Sequence, residues 1–420
     1  MDVQRLLRKI GVPSRVANSL DWSLLSDSAV MSVGMAVARA LGFAFFLVLA
    51  RAFQPANYGI VQYGISLAGV VAIVTMPFGQ HVLARFLSKD HDDQERVGRI
   101  ISSSWAVLAV LFVATLAVAV PALLALDRFD PGVIVIFMGL TIFYAYWGLA
   151  RGFLAPGRLI IAYLGSNTVQ IIATVVIINV MGIRSPLLAL LIYGLSYLLP
   201  LALLQIFKPF PVRFRPALVD RSTIRELTTF AVPIWLSHAA YILYMNIDIL
   251  MLEYFADDQT LGVYTLARTL SSVFFFIPGG ISTILMPKIA SSPRESHKPM
   301  LFNMLAISLI INVGLLVGYV LFGQWFVETL FGSEYVYEPL VAFIMAVGMI
   351  IFGAHSVVTA VLVGRDRAWA RWAPRSRRWP ARSSAWLPML ASTSSSARRK
   401  SISCARRMCL CHKSQRRGRA

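Results

Sequence analysis

Long apolar runs separated by short polar turns set the plan of this chain. Ten stretches are apolar enough, at about 20 residues or more, to cross a bilayer as helices. They cover 28–50, 59–82, 101–126, 132–150, 159–181, 187–207, 229–252, 261–287, 301–322 and 336–363. The stretch from Ser28 to Lys89 reads as two such helices joined by an outer turn, Arg51 to Tyr58. A related cassette runs from Thr229 to Ile289. Phe53, Gly59 and Pro77 of the first copy recur as Phe255, Gly262 and Pro278 in the second, at offsets of 202, 203 and 201 residues. The pattern predicts a duplicated membrane unit. Because six helices separate the copies, both enter the membrane in the same direction, and an axis along the membrane normal relates them.

Composition agrees. The 420 residues are 57% hydrophobic and only 14% charged, where a soluble domain carries about a quarter. The polar, basic first 27 residues and the spanning length of the first apolar run are not those of a cleavable signal peptide. The sequence therefore predicts an all-α polytopic membrane protein. Its expected parts are a cytoplasmic segment 1–27, a six-helix lobe 28–207, a cytoplasmic linker 208–228, an incomplete C-terminal lobe 229–364 and a basic tail 365–420, predicted to be disordered.

The net charge of +19 is unevenly spread. Residues 1–364 hold 23 Lys/Arg against 19 Asp/Glu, and the last 56 residues hold 16 against one. The loops on one side carry 18 basic residues, from Arg5 to Lys298, and the other side carries only Arg51, Arg128 and Arg184. By the positive-inside rule the N-terminus is cytoplasmic. The three cysteines, Cys404, Cys409 and Cys411, all lie in the tail, so the spanning part uses neither disulfides nor metal thiolates.

Two arginines fall inside predicted spans. Arg39 lies about 12 residues from either end of the first helix, near mid-membrane. Ser32, Ala36 and Gly42 form a small, weakly polar stripe around it. Arg268 of the second cassette has Thr265 and Ser272 on its face. An intramembrane arginine costs roughly 2.5–3.5 kcal/mol on insertion scales, so it needs a cavity or a partner. The competing readings are a functional cation and a pairing that only locks helices. Asp248 is the candidate partner of Arg268, as a plain salt bridge or as a proton- or ion-coupling group, with Tyr241 seven residues earlier on its face. Tyr144, Trp147 and Arg151 form one polar stripe, and Asn167, Gln170 and Thr174 form another. Aromatic faces and amides suit a sugar path, and interhelical hydrogen bonding explains them equally. His81, His238 and His355 read as structural. Pro77, Pro278, Gly279 and Gly280 mark kinks. Trp105, Trp235 and Trp325 fit interfacial anchoring. No phosphate-binding glycine loop, zinc spacing or nucleophile elbow appears, so no cofactor, metal, nucleic-acid partner or enzymatic activity is expected.

The segments "LARAFQPANYGIVQYGISL" (Leu49–Leu67), "NIDILMLEYFADDQTLGVYTLARTLSSV" (Asn246–Val273) and "LFGSEYVYEPLVAFIMAVG" (Leu330–Gly348) resemble the matching segments of Wzx-type polysaccharide flippases. These belong to the multidrug/oligosaccharidyl-lipid/polysaccharide superfamily. The resemblance spans roughly residues 25–364. It implies a MATE-like two-lobe bundle in the bacterial inner membrane. The implied activity moves an undecaprenyl-diphosphate-linked oligosaccharide from the cytoplasmic to the outer leaflet, for O-antigen, lipopolysaccharide or exopolysaccharide assembly. The implied partners are that lipid-linked oligosaccharide, membrane lipids, a polysaccharide polymerase and the chain-length machinery. It also implies a cationic cavity for the diphosphate, where Arg39 and Arg268 match in helix number the cavity arginines of lipid II flippases. Such relatives have 12 or 14 helices and ten are visible here. After Gly364 the composition turns abruptly to Arg, Ala, Ser, Pro and Trp, as in out-of-frame reading of GC-rich DNA, so a frameshift near residue 365 is expected; the alternative is a genuine tail binding anionic lipid. Two other functions compete: a cation-coupled drug or metabolite exporter of the same fold, and a membrane glycosyl transferase or polymerase. The central charges are mainly cationic and no large outer loop exists, which argues against both.

Overall fold

The computed structural model describes residues 22–90, 93–125, 130–153, 155–207, 209–210, 214–291, 294–332, 334–335 and 339–364. Among the described residues there is no strand, and all ten predicted spans are helical. The expected tail 365–420 and the segment 1–21 lie outside them.

The α-helices are α1 (Trp22–Ala52), α2 (Pro55–Val71), α3 (Leu83–Lys89), α4 (Gln94–Ala125), α5 (Pro131–Gly152) and α6 (Pro156–Ala173). They continue as α7 (Pro186–Phe207), α8 (Arg221–Phe255), α9 (Asp258–Ser271), α10 (Val273–Ser291), α11 (His297–Phe331) and α12 (Pro339–Gly364). Several outrun their predicted ends. α1 begins before the predicted Ser28, and α8 begins at Arg221, inside the predicted linker. Hydropathy marks only the lipid-matched part of a helix, and its polar turns continue into the surface.

Two predicted spans are broken. The second passes from α2 through a tight turn at Ala72–Val74 into a wide π-helical segment, Phe78–Val82, before α3. Pro77 has no N–H to give to the carbonyl one turn earlier, so the regular ladder fails there. The eighth divides at Ser272 into α9 and α10, whereas Pro278 lies within a continuous α10.

The described backbone forms two compact units. One runs to Ile277 and includes Leu309–Phe352; the other is Pro278–Ser308 with the segment from Gly353. In the larger unit α5 is the buried centre. Small residues let its neighbours reach it: a side chain on Gly148 would strike the Gly79 carbonyl of the π segment at 1.8 Å, and one on Gly139 would strike the Gly194 carbonyl of α7 at 2.5 Å. α6 lies on α1, α9 on α2, and α8 along both α2 and α4. In the smaller unit Leu285, Ile289, Val357 and Val361 form a core, and Ser356 donates to Ser282 at 3.1 Å.

Asparagine-like capping by aspartate starts the helices. Asp130 accepts from Gly132 at the head of α5, Asp220 from Ser222 and Thr223 at α8, and Asp257 from Thr260 at α9. The Thr223 backbone and hydroxyl bonds hold the Asp220 carboxyl below its ordinary range. Its stabilising effect is therefore full above the unfolded carboxylate range and fades as pH falls through the lowered value.

Tyr335 is buried, and its hydroxyl bridges the Ala50 and Phe53 carbonyls at 3.0 and 3.1 Å, closing the end of α1. Tyr335→Phe is expected to lower stability by about 1 kcal/mol, read by thermal unfolding in detergent. No change would mean that water replaces the hydroxyl.

Candidate functional site

Every candidate site residue named from the sequence (Arg39, Tyr144, Trp147, Asn167, Gln170, Tyr241, Asp248 and Arg268) falls in the larger unit. Arg39 projects from α1 and is exposed. Its charge reaches the phenols of Tyr163 on α6 and Tyr241 on α8. Among the described residues no carboxylate lies within ion-pair distance of it. Beside it, Asn167 fastens α6 to α1: its Nδ2 donates to the Ala38 carbonyl at 3.0 Å and to the Tyr163 carbonyl at 3.0 Å. Gly42 leaves the space this amide occupies, since a side chain there would meet Asn167 Oδ1 at 3.2 Å. Asn167 thus has a structural task that also fixes the backbone next to Arg39.

Arg268 is held differently. Its Nε lies 3.2 Å from Asp248 Oδ2, and a second guanidinium nitrogen donates to the Met245 carbonyl. Tyr264, one turn before Arg268 on α9, donates to the same Asp248 oxygen at 2.9 Å. Asp248 Oδ1 is buried without a hydrogen-bond partner. The plain salt bridge weighed from the sequence is therefore formed. One wall of this network continues through Thr269, which shares a 3.2 Å hydrogen bond with Tyr58, and Gln62, which donates to Tyr58 at 2.6 Å.

Removing one partner leaves a charge facing carbonyls and rings. Asp248→Asn is expected to cost about 1–2 kcal/mol, less than a fully buried pair, because a quarter to a third of each side chain meets solvent (23% and 33%). D248N/R268Q should cost less than the two single changes combined, measured by scanning fluorimetry. Strict additivity would show the two side chains to be energetically independent.

Tyr144 and Trp147 stand on α5 with ring centroids 6.3 Å apart. Trp147 packs edge-on to Tyr163 at 5.9 Å, and Phe143 packs edge-on to Tyr197 at 5.0 Å. Gln170 is buried beside Tyr197. The result is an aromatic wall from α5, α6 and α7, and the buried Trp147 Nε1 lacks a hydrogen-bond partner. The two polar stripes of the sequence thus converge on one region adjoining Arg39.

Two features escaped the sequence. His81 of the π segment and His238 of α8 meet with ring centroids 5.0 Å apart, and Tyr241 follows at 6.3 Å from His238. Residues 157 positions apart give no local signal. Tyr264 was legible in principle, because it shares a helix face with Arg268 at spacing four.

The fold is that of solved membrane transporters. The chain is similar to an inward-facing multidrug resistance MATE family transporter of the MOP superfamily, with TM-score 0.62 and 14% identity over 82% of this chain and 84% of that one. It is similar to the lipid II flippase MurJ in an inward closed conformation, with TM-score 0.58 and 15% identity over 81% and 77%. An outward-facing MATE family transporter gives TM-score 0.54 and 16% identity over 82% and 83%. No curated protein sequence matches the chain. A helical multi-pass membrane protein of this superfamily's fold is thereby defined.

Residues 24–293 match the model of one family, described as polysaccharide biosynthesis protein. The chain belongs to that family.

Proposed function

We propose that this protein moves an oligosaccharide on an undecaprenyl diphosphate carrier from the cytoplasmic to the outer leaflet of the bacterial inner membrane, for O-antigen or exopolysaccharide assembly. In this reading the N-terminus is cytoplasmic, residues 28–207 and 229–364 act as two lobes, and 208–228 is their cytoplasmic linker. The observation that carries it is Arg39: a guanidinium on the first spanning helix with no carboxylate partner among the described residues, whose charge reaches tyrosines of α6 and α8. A diphosphate supplies the acceptors that such a fork requires. The aromatic wall of Tyr144, Trp147 and Tyr163, with Gln170 and the unpartnered Trp147 Nε1, suits sugar faces and hydroxyls. Arg268, Asp248 and Tyr241 complete the polar lining. Engagement of Asp248 by Arg268 and Tyr264 leaves that carboxylate poorly placed for exchanging a drug cation, which supports the lipid reading over the exporter.

The test is translocation in liposomes of a fluorescent undecaprenyl-diphosphate oligosaccharide, followed by a membrane-impermeant quencher. The expected result is protein-dependent movement of the lipid between leaflets. Efflux of a cationic dye without lipid movement would favour the exporter instead.

A further inference from the structure

The linker between the two cassettes lies bound against α4, α5 and α6 over its described residues, 209–210 and 214–220. Phe210 is 5% exposed. Its ring stacks on Phe153 at the end of α5, with centroids 5.4 Å apart at 19°, and lies 5.3 Å from the ring of Tyr146. Arg158 at the head of α6 sits over the same ring at 4.4 Å. Further on, the backbone N–H of Arg215 donates to Ser102 Oγ at 3.1 Å, and that of Asp220 donates to Ser103 Oγ at 3.2 Å. Both serines belong to α4 and are fully buried. Between these bonds the linker makes one tight turn, Pro216–Leu218, and a side-chain carbon on Gly98 of α4 would lie 3.0 Å from Leu218 Cδ1.

The head of α8 is fixed to the same part of the molecule. Arg96 of α4 pairs with Glu226 and reaches Thr223 Oγ1 at 3.5 Å, while its Nε lies 3.5 Å from Asp90 at the end of α3. Thr223, Leu227 and Ala231 are buried at every fourth position. Phe230 meets Phe86 of α3 edge-on at 5.4 Å, and Arg85 sits over its ring at 4.5 Å. Beyond Ala231 this pattern stops. The next buried residue of α8 is Ile242, and Pro233, inside the gap, has no N–H to give to the Thr229 carbonyl. Freeing the linker would uncover Phe210 and take the acceptors from two backbone N–H groups, and each orphaned group costs its desolvation. No single small movement undoes contacts that are apolar, hydrogen-bonded and ionic and are spread over α3, α4, α5 and α6.

We infer that the linker and the first turns of α8, as far as Ala231, form a fixed strap that stays with the first lobe throughout transport. A tether would have to pay out and shorten as two lobes move against each other. A strap does neither, and the second lobe then moves from beyond Ala231, where α8 is least held. The transport reading gives the strap its purpose, but the first half of its test needs no substrate, so the two can fail separately.

The experiment has two arms, both on the full chain in lipid. The first is amide hydrogen exchange without substrate. The amides of Arg215 and Asp220 should exchange at least about 100-fold more slowly than in an unstructured chain. Ser102→Ala with Ser103→Ala should speed them by about 10-fold, because their acceptors are gone. Exchange at the unstructured rate in the parent would overturn the inference, whether or not the serine variant folds. The second arm joins Gly98→Cys on α4 to Leu218→Cys on the linker with a short bis-thiosulfonate reagent, in a chain whose Cys404, Cys409 and Cys411 are replaced by serine. Movement of the fluorescent diphosphate lipid by the bridged protein should stay within about twofold of the same protein after reduction. Arrest on bridging, relieved by reduction, would show that the linker has to release and would overturn the inference. If the reduced protein moves no lipid, it is the transport reading that fails; slow exchange then upholds the strap and fast exchange overturns it.

Discussion

Arg39→Ala should weaken binding of a polyprenyl diphosphate by about 100-fold, the loss of a pair of charge-assisted hydrogen bonds. Arg39→Lys should fall between, at about 10-fold, because it keeps the charge and loses the planar fork. The informative part is what happens to the fold. A helix-locking arginine would destabilise the protein when removed. Arg39 has no ion pair among the described residues, and an intramembrane guanidinium costs roughly 2.5–3.5 kcal/mol to insert. R39A should therefore insert and resist heat at least as well as the parent. A large fall in melting temperature together with unaltered lipid binding would make Arg39 structural. Arg268→Ala provides the contrast: its pairing with Asp248 predicts a stability loss of its own.

The second large effect concerns Gly262. A side-chain carbon there would lie 1.8 Å from the Pro55 carbonyl oxygen, and one on Gly59 would lie 2.7 Å from the Asp258 carbonyl and 2.8 Å from the Gly262 nitrogen. α2 and α9 thus cross with bare backbone against bare backbone, and neither carbonyl can retreat as a flexible side chain does. Gly262→Ala is expected to destabilise by about 3 kcal/mol, read as the loss of the folded fraction on size exclusion and in thermal unfolding. Gly314→Ala is the control, since nothing lies within 4 Å of its added carbon; it should be neutral or gain up to about 1 kcal/mol from helix propensity. Equal behaviour of the two alanines would show that the crossing relaxes freely.

This crossing shows what the sequence could reveal. Gly59 and Gly262 were recognised only as landmarks of a repeated cassette. In the structure their backbones pack on each other. Hydropathy located the ten spans because lipid imposes a length on apolar runs. It could not see that Pro77 would open a π segment or that α8 would reach back to Arg221, since both depend on hydrogen-bond geometry and capping rather than on apolar length. Within the candidate site, Arg39, Asp248 and Arg268 stood out because charge in a spanning helix is rare. The stripe of Tyr144 and Trp147 was visible as spacing, but its convergence with Tyr163 and Tyr197 required the packing of α5, α6 and α7. The histidine pair could not be read at all, because its partners belong to helices distant in sequence and each imidazole alone resembles an ordinary helix-end residue.

The proposed function rests on Arg39 holding a diphosphate on a lipid. Native mass spectrometry of the full chain with undecaprenyl diphosphate oligosaccharide, competed against the same oligosaccharide on the monophosphate carrier, tests it most directly. The account predicts preferential retention of the diphosphate by the parent protein and loss of that preference in R39A. Equal retention of the two carriers by the parent, or an unchanged preference in R39A, would contradict it.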